Sequence, residues 1–473
     1  MTNVEMKNND STISTQKPQD YNQIQNKKVA FLTLGCKVNS YETEAMQQLF
    51  VDAGATVVNF SDPADIYVVN TCTVTNIADR KSRQMLHKAK NMNEEAIVVA
   101  VGCYVQAAKD ELEKDHSIDI VIGNNRKSEI VAIVNSHYNE TDIDSVIDIS
   151  EENEYETLSL SAISDKTRAY IKIQDGCNQF CSYCIIPFAR GRIRSRKKDD
   201  IVEEVKRLTA QGYKEIVLTG IHLSSYGFET KSVKEQASLQ ADDGKSPLLE
   251  LIILLNQIEG LERIRFGSLE PRIITEDFVK TLAEQSKICP HFHLSLQSGS
   301  VETLKRMNRK YTPDEYYEKC TLLRKYFTSP AITTDVIVGF PGETTEEFDE
   351  TRKFLEKVSF SQMHVFKYSK RKGTKAEAMP NQVSDQEKSR RSEELIHLED
   401  EMRSNYRNQF IGQIDEILVE EQITLDGEVY AVGHNKRYIR CIFKTEKDFT
   451  NELVKVKIIS QYDKDTMLTE IID

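Results

Sequence analysis

From Lys28 onward the chain alternates between short runs of β-branched and apolar residues and segments whose apolar positions recur every three to four residues. Runs over 29–34, 66–70, 96–101 and 118–122 read as strands. Between the first two, Met46, Leu49, Phe50 and Ala53 share one helical face that Gly54 closes. This rhythm predicts an open parallel sheet covered by helices. The polar, acidic stretch 137–165 offers little for a core and reads as a connection to a second domain. The strand-helix rhythm then resumes, with strands expected over 169–173, 215–218, 263–266, 292–296, 332–338 and 363–366. Six such units make a partial barrel, because eight would need more chain than remains. Residues 224–246, rich in Gly, Ser, Lys and Asp, read as a mobile excursion without chemistry. A polar helix is expected over 384–410, opened by a capping box of Ser384 with Glu387. Short β-like runs at 414–419, 428–432, 438–443 and 454–459 follow, the pattern of a small antiparallel barrel. The first 26 residues have almost nothing to bury and read as a disordered leader.

The predicted class is therefore α/β in three parts: an N-terminal open parallel sheet, a central partial (βα)6 barrel and a C-terminal antiparallel β-barrel. A length of 473 residues suits several cores rather than one. No apolar run reaches the roughly 18 residues of a membrane span, and the polar start lacks the apolar stretch of a signal peptide. The reading is a cytoplasmic protein with no membrane contact. A net charge of −13 argues against coating nucleic acid by bulk electrostatics. Local charge differs: RGRIRSRKK at 190–198 holds six cations and no acid, and Lys367, Lys370, Arg371, Lys372 and Lys375 follow later. These are candidate phosphate contacts, the alternative being two solvated loops.

Nine cysteines in a reducing compartment point to metal or redox chemistry rather than disulfides; Cys289, Cys320 and Cys441 are scattered singly. Cys177, Cys181 and Cys184 follow the first barrel strand with Cys-x3-Cys-x2-Cys spacing and no nearby fourth Cys or His. Structural zinc and ferredoxin clusters both take four protein ligands, so three leave one metal position open. In a four-iron cluster that position can chelate the amino and carboxylate groups of S-adenosylmethionine (SAM) and pass it an electron. A zinc knuckle with a distant fourth ligand, or buried thiols, is the alternative. Cys36, Cys72 and Cys103 each follow directly on a predicted strand, in TLGC, VVNTC and VAVGC. A parallel sheet would bring them to one edge as a second cluster site, unless they are ordinary core cysteines. Thr219, Gly220, Ser268, Glu270 and Gln297 fall at strand ends on the face where such barrels place their chemistry, and are candidate SAM contacts or plain loop polarity. Gly339, Pro341 and Gly342 read as a turn near the ligand, and His222, His293 and His364 on barrel strands are either candidate bases or, as lone strand histidines more often are, structural, and take no assigned role. Lys436, Arg437, Tyr438 and Arg440 are candidates to grip or stack on RNA.

Together these residues resemble the methylthiotransferase family of radical-SAM enzymes. The similarity rests on GCNQFCSYCIIPFARGRIRSR at 176–196, TLGCKVN at 33–39 and NTCTVT at 70–75, and spans nearly everything after Lys28. It implies an N-terminal cluster domain (27–140), a radical-SAM core (160–400) and an RNA-binding TRAM barrel (404–473) after the leader (1–26). GCKVN looks like the branch that modifies threonylcarbamoyladenosine beside the anticodon; sibling branches act on isopentenyl-adenosine or a ribosomal protein. By resemblance, Cys177, Cys181 and Cys184 ligate a [4Fe-4S] cluster that binds SAM, with Tyr183 against the SAM adenine. Cys36, Cys72 and Cys103 ligate a second [4Fe-4S] cluster whose open iron holds sulfur. One SAM methylates that sulfur, and another yields a 5′-deoxyadenosyl radical that removes hydrogen from adenine C2, where the methylthio group joins. A radical suits this position, since the aromatic C–H is too weak an acid for a His or Glu base. The implied partners are a tRNA anticodon stem-loop, a one-electron donor such as flavodoxin or ferredoxin, and a sulfur donor. A reading from another class is a non-catalytic iron-sulfur RNA-binding protein.

Overall fold

The computed structural model describes residues 21–141, 143–160, 167–229, 231 and 246–472. Its first sheet contains β1 (Lys28–Thr33), β2 (Thr56–Val58), β3 (Ile66–Thr71), β4 (Ile97–Gly102) and β5 (Ile120–Ile122). They are parallel and ordered β2-β1-β3-β4-β5. Continuous apolar runs make the central strands buried on both faces. One face packs Val68 and Val99 against Met46 and Phe50 of helix α1 (Lys37–Asp52). The other packs Val69 and Val98 against Leu86 and Ala89 of helix α2 (Asn76–Met92), which Thr75 caps by accepting from the Ala78 amide.

The central barrel comprises β6 (Arg168–Asp175), β7 (Arg194–Ser195), β8 (Glu215–Gly220), β9 (Arg263–Phe266), β10 (Ser268–Leu269), β11 (His291–Leu294), β12 (Ala331–Val338) and β13 (Gln362–Lys367). It forms two sheets, β7-β6-β8-β9 and β10-β11-β12-β13, because the third strand breaks at Gly267 between β9 and β10. A parallel bridge from Ile264 to Ile288 carries the curvature across, and one continuous core lies behind both sheets. The strand-helix units are thus six, with β7 an added antiparallel edge. The N-terminal sheet domain meets both edges of this open barrel. On one side Tyr41 of α1 joins the barrel core and donates to Leu158 O at 2.6 Å. On the other, Arg371 beyond β13 reaches Asn76 and Asp79 of α2, each at 2.7 Å.

The C-terminal strands β14 (Ile414–Leu425), β15 (Glu428–Asn435), β16 (Arg440–Lys444), β17 (Leu453–Gln461) and β18 (Thr466–Ile471) close into a barrel ordered β14-β15-β16-β18-β17. Every pair is antiparallel except β16 with β18, whose parallel contact completes the ring. Arg263 donates to His434 O (2.8 Å) and Glu416 O (2.9 Å), and Arg265 to Lys436 O (3.1 Å), so buried arginines at the starts of barrel strands hold this domain in place.

Several expectations are corrected. The leader 1–26 does not extend unstructured to its end: 22–26 form turns, and Ile24 is fully buried beside Phe50. Within the connection, residues 143–160 form a packed strap, since Val146, Ile149, Leu158 and Leu160 are buried, and spaced apolar residues suffice when two domains flank them; 142 and 161–165 lie outside the described residues. Ser384 caps its helix (Asp385–Asn408) by accepting from Glu387 N, but the Glu387 carboxylate pairs with Arg390 and Arg391 instead of completing the box. The excursion 224–246 begins as a packed turn with Tyr226 and Phe228 buried; residues 230 and 232–245 lie outside the described residues, as do 1–20.

Candidate active site

The parallel order of β1, β3 and β4 delivers Cys36, Cys72 and Cys103 to one sheet edge, immediately after successive strand ends. Asn39 staples two of these loops, donating to Leu34 O (2.7 Å) and Thr71 O (3.1 Å). Cys103 Sγ accepts from Arg190 Nε at 3.1 Å and from Asn124 Nδ2 at 3.6 Å. Arg190 lies in the barrel domain and is fully buried. Its remaining donors reach Asn39 Oδ1 (2.7 Å), Glu42 (2.9 and 3.1 Å) and Asp175 (3.0 and 3.1 Å). Lys127 and Lys172 also pair with Glu42, and Lys172 with Asp175. Burial opposes ionisation of Glu42 and Asp175, but Arg190 and Lys172, with Lys127 at Glu42 and Arg194 at Asp175, hold both carboxyls below the usual carboxylate range.

The loop of Cys177, Cys181 and Cys184 is fixed from every side. Asp175 Oδ1 accepts from Gly176 N (2.8 Å), Cys177 N donates to Gly191 O (3.1 Å), and Ser182 Oγ donates to Arg306 O (2.7 Å). Arg309 Nη1 stands 3.3 Å from Cys181 Sγ, while its other groups reach Ser295 O (3.2 Å) and Tyr311 OH (2.9 Å).

A cavity of about 770 Å³ runs from this loop through the barrel interior to Tyr438. Cys36, Cys177, Cys181, Cys184, Tyr183, Thr219, Gly220, Ser268, Glu270 and Gln297 all line it. Cys72 stands behind: a Cβ placed on Gly35 would meet its Sγ at 3.0 Å, so these loops touch. Cys103 is buried beyond it. Gln297 holds a φ of 73°, a left-handed conformation costly for a non-glycine residue, fixed by its amide donating to Asp335 O at 2.9 Å. Tyr183 packs edge-on against Phe340, so the 339–342 turn meets the site through its phenyl ring.

The thiols fit iron-sulfur ligation by their chemistry. Burial pushes the Cys72 thiol up to about 11 and Cys184 to about 12, and raises Cys177; Cys36, though open to the cavity, is raised as well. Thiolates there need a positive partner, which a metal centre provides. Beside Cys103 the buried Arg190 guanidinium, itself paired with Glu42 and Asp175, presents Nε to the sulfur at 3.1 Å. Among the described residues no three His, Cys, Asp or Glu side chains converge on a single-ion position. Six of the thiols fall at two places, three after the ends of β1, β3 and β4 and three on the 177–184 loop.

Two sequence expectations hold only in part. Arg190, Arg194 and Arg196 are buried rather than free for phosphate, Arg196 pairing with Glu204, whereas Arg192 and Lys197 of the same run are exposed. In the second run Arg371 is likewise buried, whereas Lys367, Lys370, Lys372 and Lys375 are exposed. Tyr438 faces inward, stacked on His434 at 4.5 Å and flanked by the guanidinium groups of Arg168 and Arg265 at 5.0 and 4.7 Å. Arg437 donates to Ser329 O and Thr328 O, and Lys436 to Ser286 O; both dock the barrel rather than present to RNA. His222, His293 and His364 all line the cavity, and sequence reasoning missed Lys37, His291, Arg309 and Asp335 beside them. Lys37 adjoins a flagged cysteine; the others carry no local signal.

Residues 171–355 match the Radical SAM superfamily model, and residues 28–123 match Uncharacterized protein family UPF0004. The chain is 42% identical over 433 residues to "Threonylcarbamoyladenosine tRNA methylthiotransferase MtaB" of Bacillus subtilis (strain 168), covering 91% of this chain and 93% of that one. It is 34% identical to "tRNA-2-methylthio-N(6)-dimethylallyladenosine synthase" of Carboxydothermus hydrogenoformans, covering 91% and 96%. Among solved structures, the radical S-adenosylmethionine methyltransferase TsrM from Kitasatospora setae shares the fold with a TM-score of 0.53 at 16% identity, covering 72% and 73%. No helix among the described residues is long and apolar enough to cross a membrane. The chain belongs to the methylthiotransferase family of radical-SAM enzymes, which use SAM and iron-sulfur clusters.

Proposed function

We propose that this chain adds a methylthio group to C2 of N6-threonylcarbamoyladenosine next to the anticodon of tRNA. The observation that carries the reading is that Cys36, from one thiol triad, and Cys177, Cys181 and Cys184, the other triad, open on the same cavity. Its volume lies in the range of small-molecule sites, enough for a nucleoside between two reactive centres. In this reading Cys177, Cys181 and Cys184 hold the SAM cluster, and Cys36, Cys72 and Cys103 the auxiliary one. The bound cofactors supply a 5′-deoxyadenosyl radical and a methylthio sulfur. The chain's own residues orient and shield. Tyr183, Thr219, Gly220, Ser268, Glu270 and Gln297 surround SAM, and the rigid barrel walls hold the adenine between the centres.

The relatives' names support tRNA as substrate, and Lys367, Lys370, Lys372 and Lys375 offer exposed cations for its phosphates. The C-terminal barrel, read as a TRAM domain, would hold the anticodon stem-loop. A flavodoxin or ferredoxin supplies electrons, a separate donor supplies sulfur, and the reaction takes place in the cytoplasm.

Anaerobically reconstituted, reduced protein mixed with SAM and a threonylcarbamoylated stem-loop should release 5′-deoxyadenosine and form the 2-methylthio nucleoside. No 5′-deoxyadenosine from reduced protein would remove the enzymatic reading. Conversion of a dimethylallyladenosine stem-loop alone would replace the substrate.

A further inference from the structure

Two permanent or readily formed cations other than histidine line the cavity, Lys37 and Arg309. Arg309 is committed: it donates to Cys181 Sγ, Ser295 O and Tyr311 OH. Lys37 is different. Among the described residues its amine makes no hydrogen bond or ion pair, although it directly follows Cys36 and lines the same cavity as Asp335, His291 and His364.

Glu215 pairs with Arg168 and Arg265, and Asp335, 3.4 Å from His293 Nε2, makes no ion pair with Lys37. Lys37 is exposed at the mouth of the cavity with no protein partner among the described residues, so its ammonium is free to meet an anionic group of a bound ligand. A threonylcarbamoyl group carries one free carboxylate, while a dimethylallyl group is apolar throughout. Resting on the substrate reading above, we propose that Lys37 receives the threonylcarbamoyl carboxylate and so selects this nucleoside over those with uncharged N6 groups. Because Cys36 directly precedes it, the same turn would set the distance between the carboxylate and the sulfur-bearing centre.

The test uses the reconstituted holoenzyme and three stem-loop RNAs, carrying threonylcarbamoyladenosine, its carboxyl methyl ester, or dimethylallyladenosine. Wild type is expected to prefer the free acid over the ester by about tenfold or more in kcat/KM, chiefly through KM. Lys37→Ala and Lys37→Gln should lose that preference, treating acid and ester alike, and Lys37→Arg should keep most of it. Iron content and visible absorption of each variant should match wild type, since the side chain has no protein partner to lose. An acid-to-ester ratio unchanged in Lys37→Ala would overturn the inference while leaving the substrate reading intact. A wild type that converts only the dimethylallyl RNA would remove the substrate reading itself, and this inference with it.

Discussion

Arg190 Nε donates to Cys103 Sγ across the boundary between the N-terminal sheet and the barrel, 3.1 Å apart and out of contact with solvent. The same guanidinium grips Asp175, whose carboxylate fixes the amide of Gly176 one residue before Cys177. One side chain therefore links a ligand of the proposed auxiliary cluster to the loop of the proposed SAM cluster. Fixed donors of this kind orient metal-bound sulfur and set the distance between centres.

Replacing Arg190 with Gln should leave Glu42 and Asp175 short of a partner in the interior. A loss of about 3–5 kcal/mol is expected, measured by urea unfolding of the protein without iron. Glu42→Gln introduced with it should cost less than the sum of the two single changes, because the network acts as a unit. Strict additivity would show that the network is not coupled.

Gly176 adopts a φ of 71°, and a Cβ there would lie 1.7 Å from Arg192 O. Gly176→Ala must therefore move the loop that carries Cys177, with a backbone penalty of at least about 1–3 kcal/mol. Iron analysis after reconstitution should show the barrel-domain iron lost and the N-terminal iron retained. Full iron loading would contradict the rigid-loop account.

His222 lines the cavity wall with its Nε2 sealed and unpartnered, while Nδ1 meets Ser225 Oγ at 2.6 Å. Burial pushes its pKa down to about 4 from 6.5. The unfolded chain then binds more protons than the folded one between those values, so stability falls as pH drops from about 6.5 toward 4. The loss should reach up to about 3 kcal/mol, and His222→Gln should flatten that part of the pH-stability curve. Parallel curves for wild type and variant would refute this.

Much of the architecture is legible because its signals are local. Apolar runs such as 66–70 and 96–101 mark strands, and a cysteine directly after each reports which edge it reaches. The short elements β2, β7 and β10 escape because two or three residues hold too little pattern, and β18 because its alternation is brief. Arg190, Arg194 and Arg196 look like a basic surface strip, since Glu42, Asp175 and Glu204 neutralise them only after folding. Lys37 sits beside a cysteine that the sequence marks, whereas Arg309 reaches the 177–184 loop only through the folding of the barrel, which no spacing along the chain encodes.

Two cluster sites on one cavity is the claim on which the rest depends. Mössbauer spectroscopy with iron quantification on anaerobically reconstituted wild type should find two [4Fe-4S] clusters, about eight irons per chain. Removing Cys177, Cys181 and Cys184 together, or Cys36, Cys72 and Cys103 together, should leave one cluster in each case. Wild type with a single cluster, or a triple variant that keeps both, would contradict it.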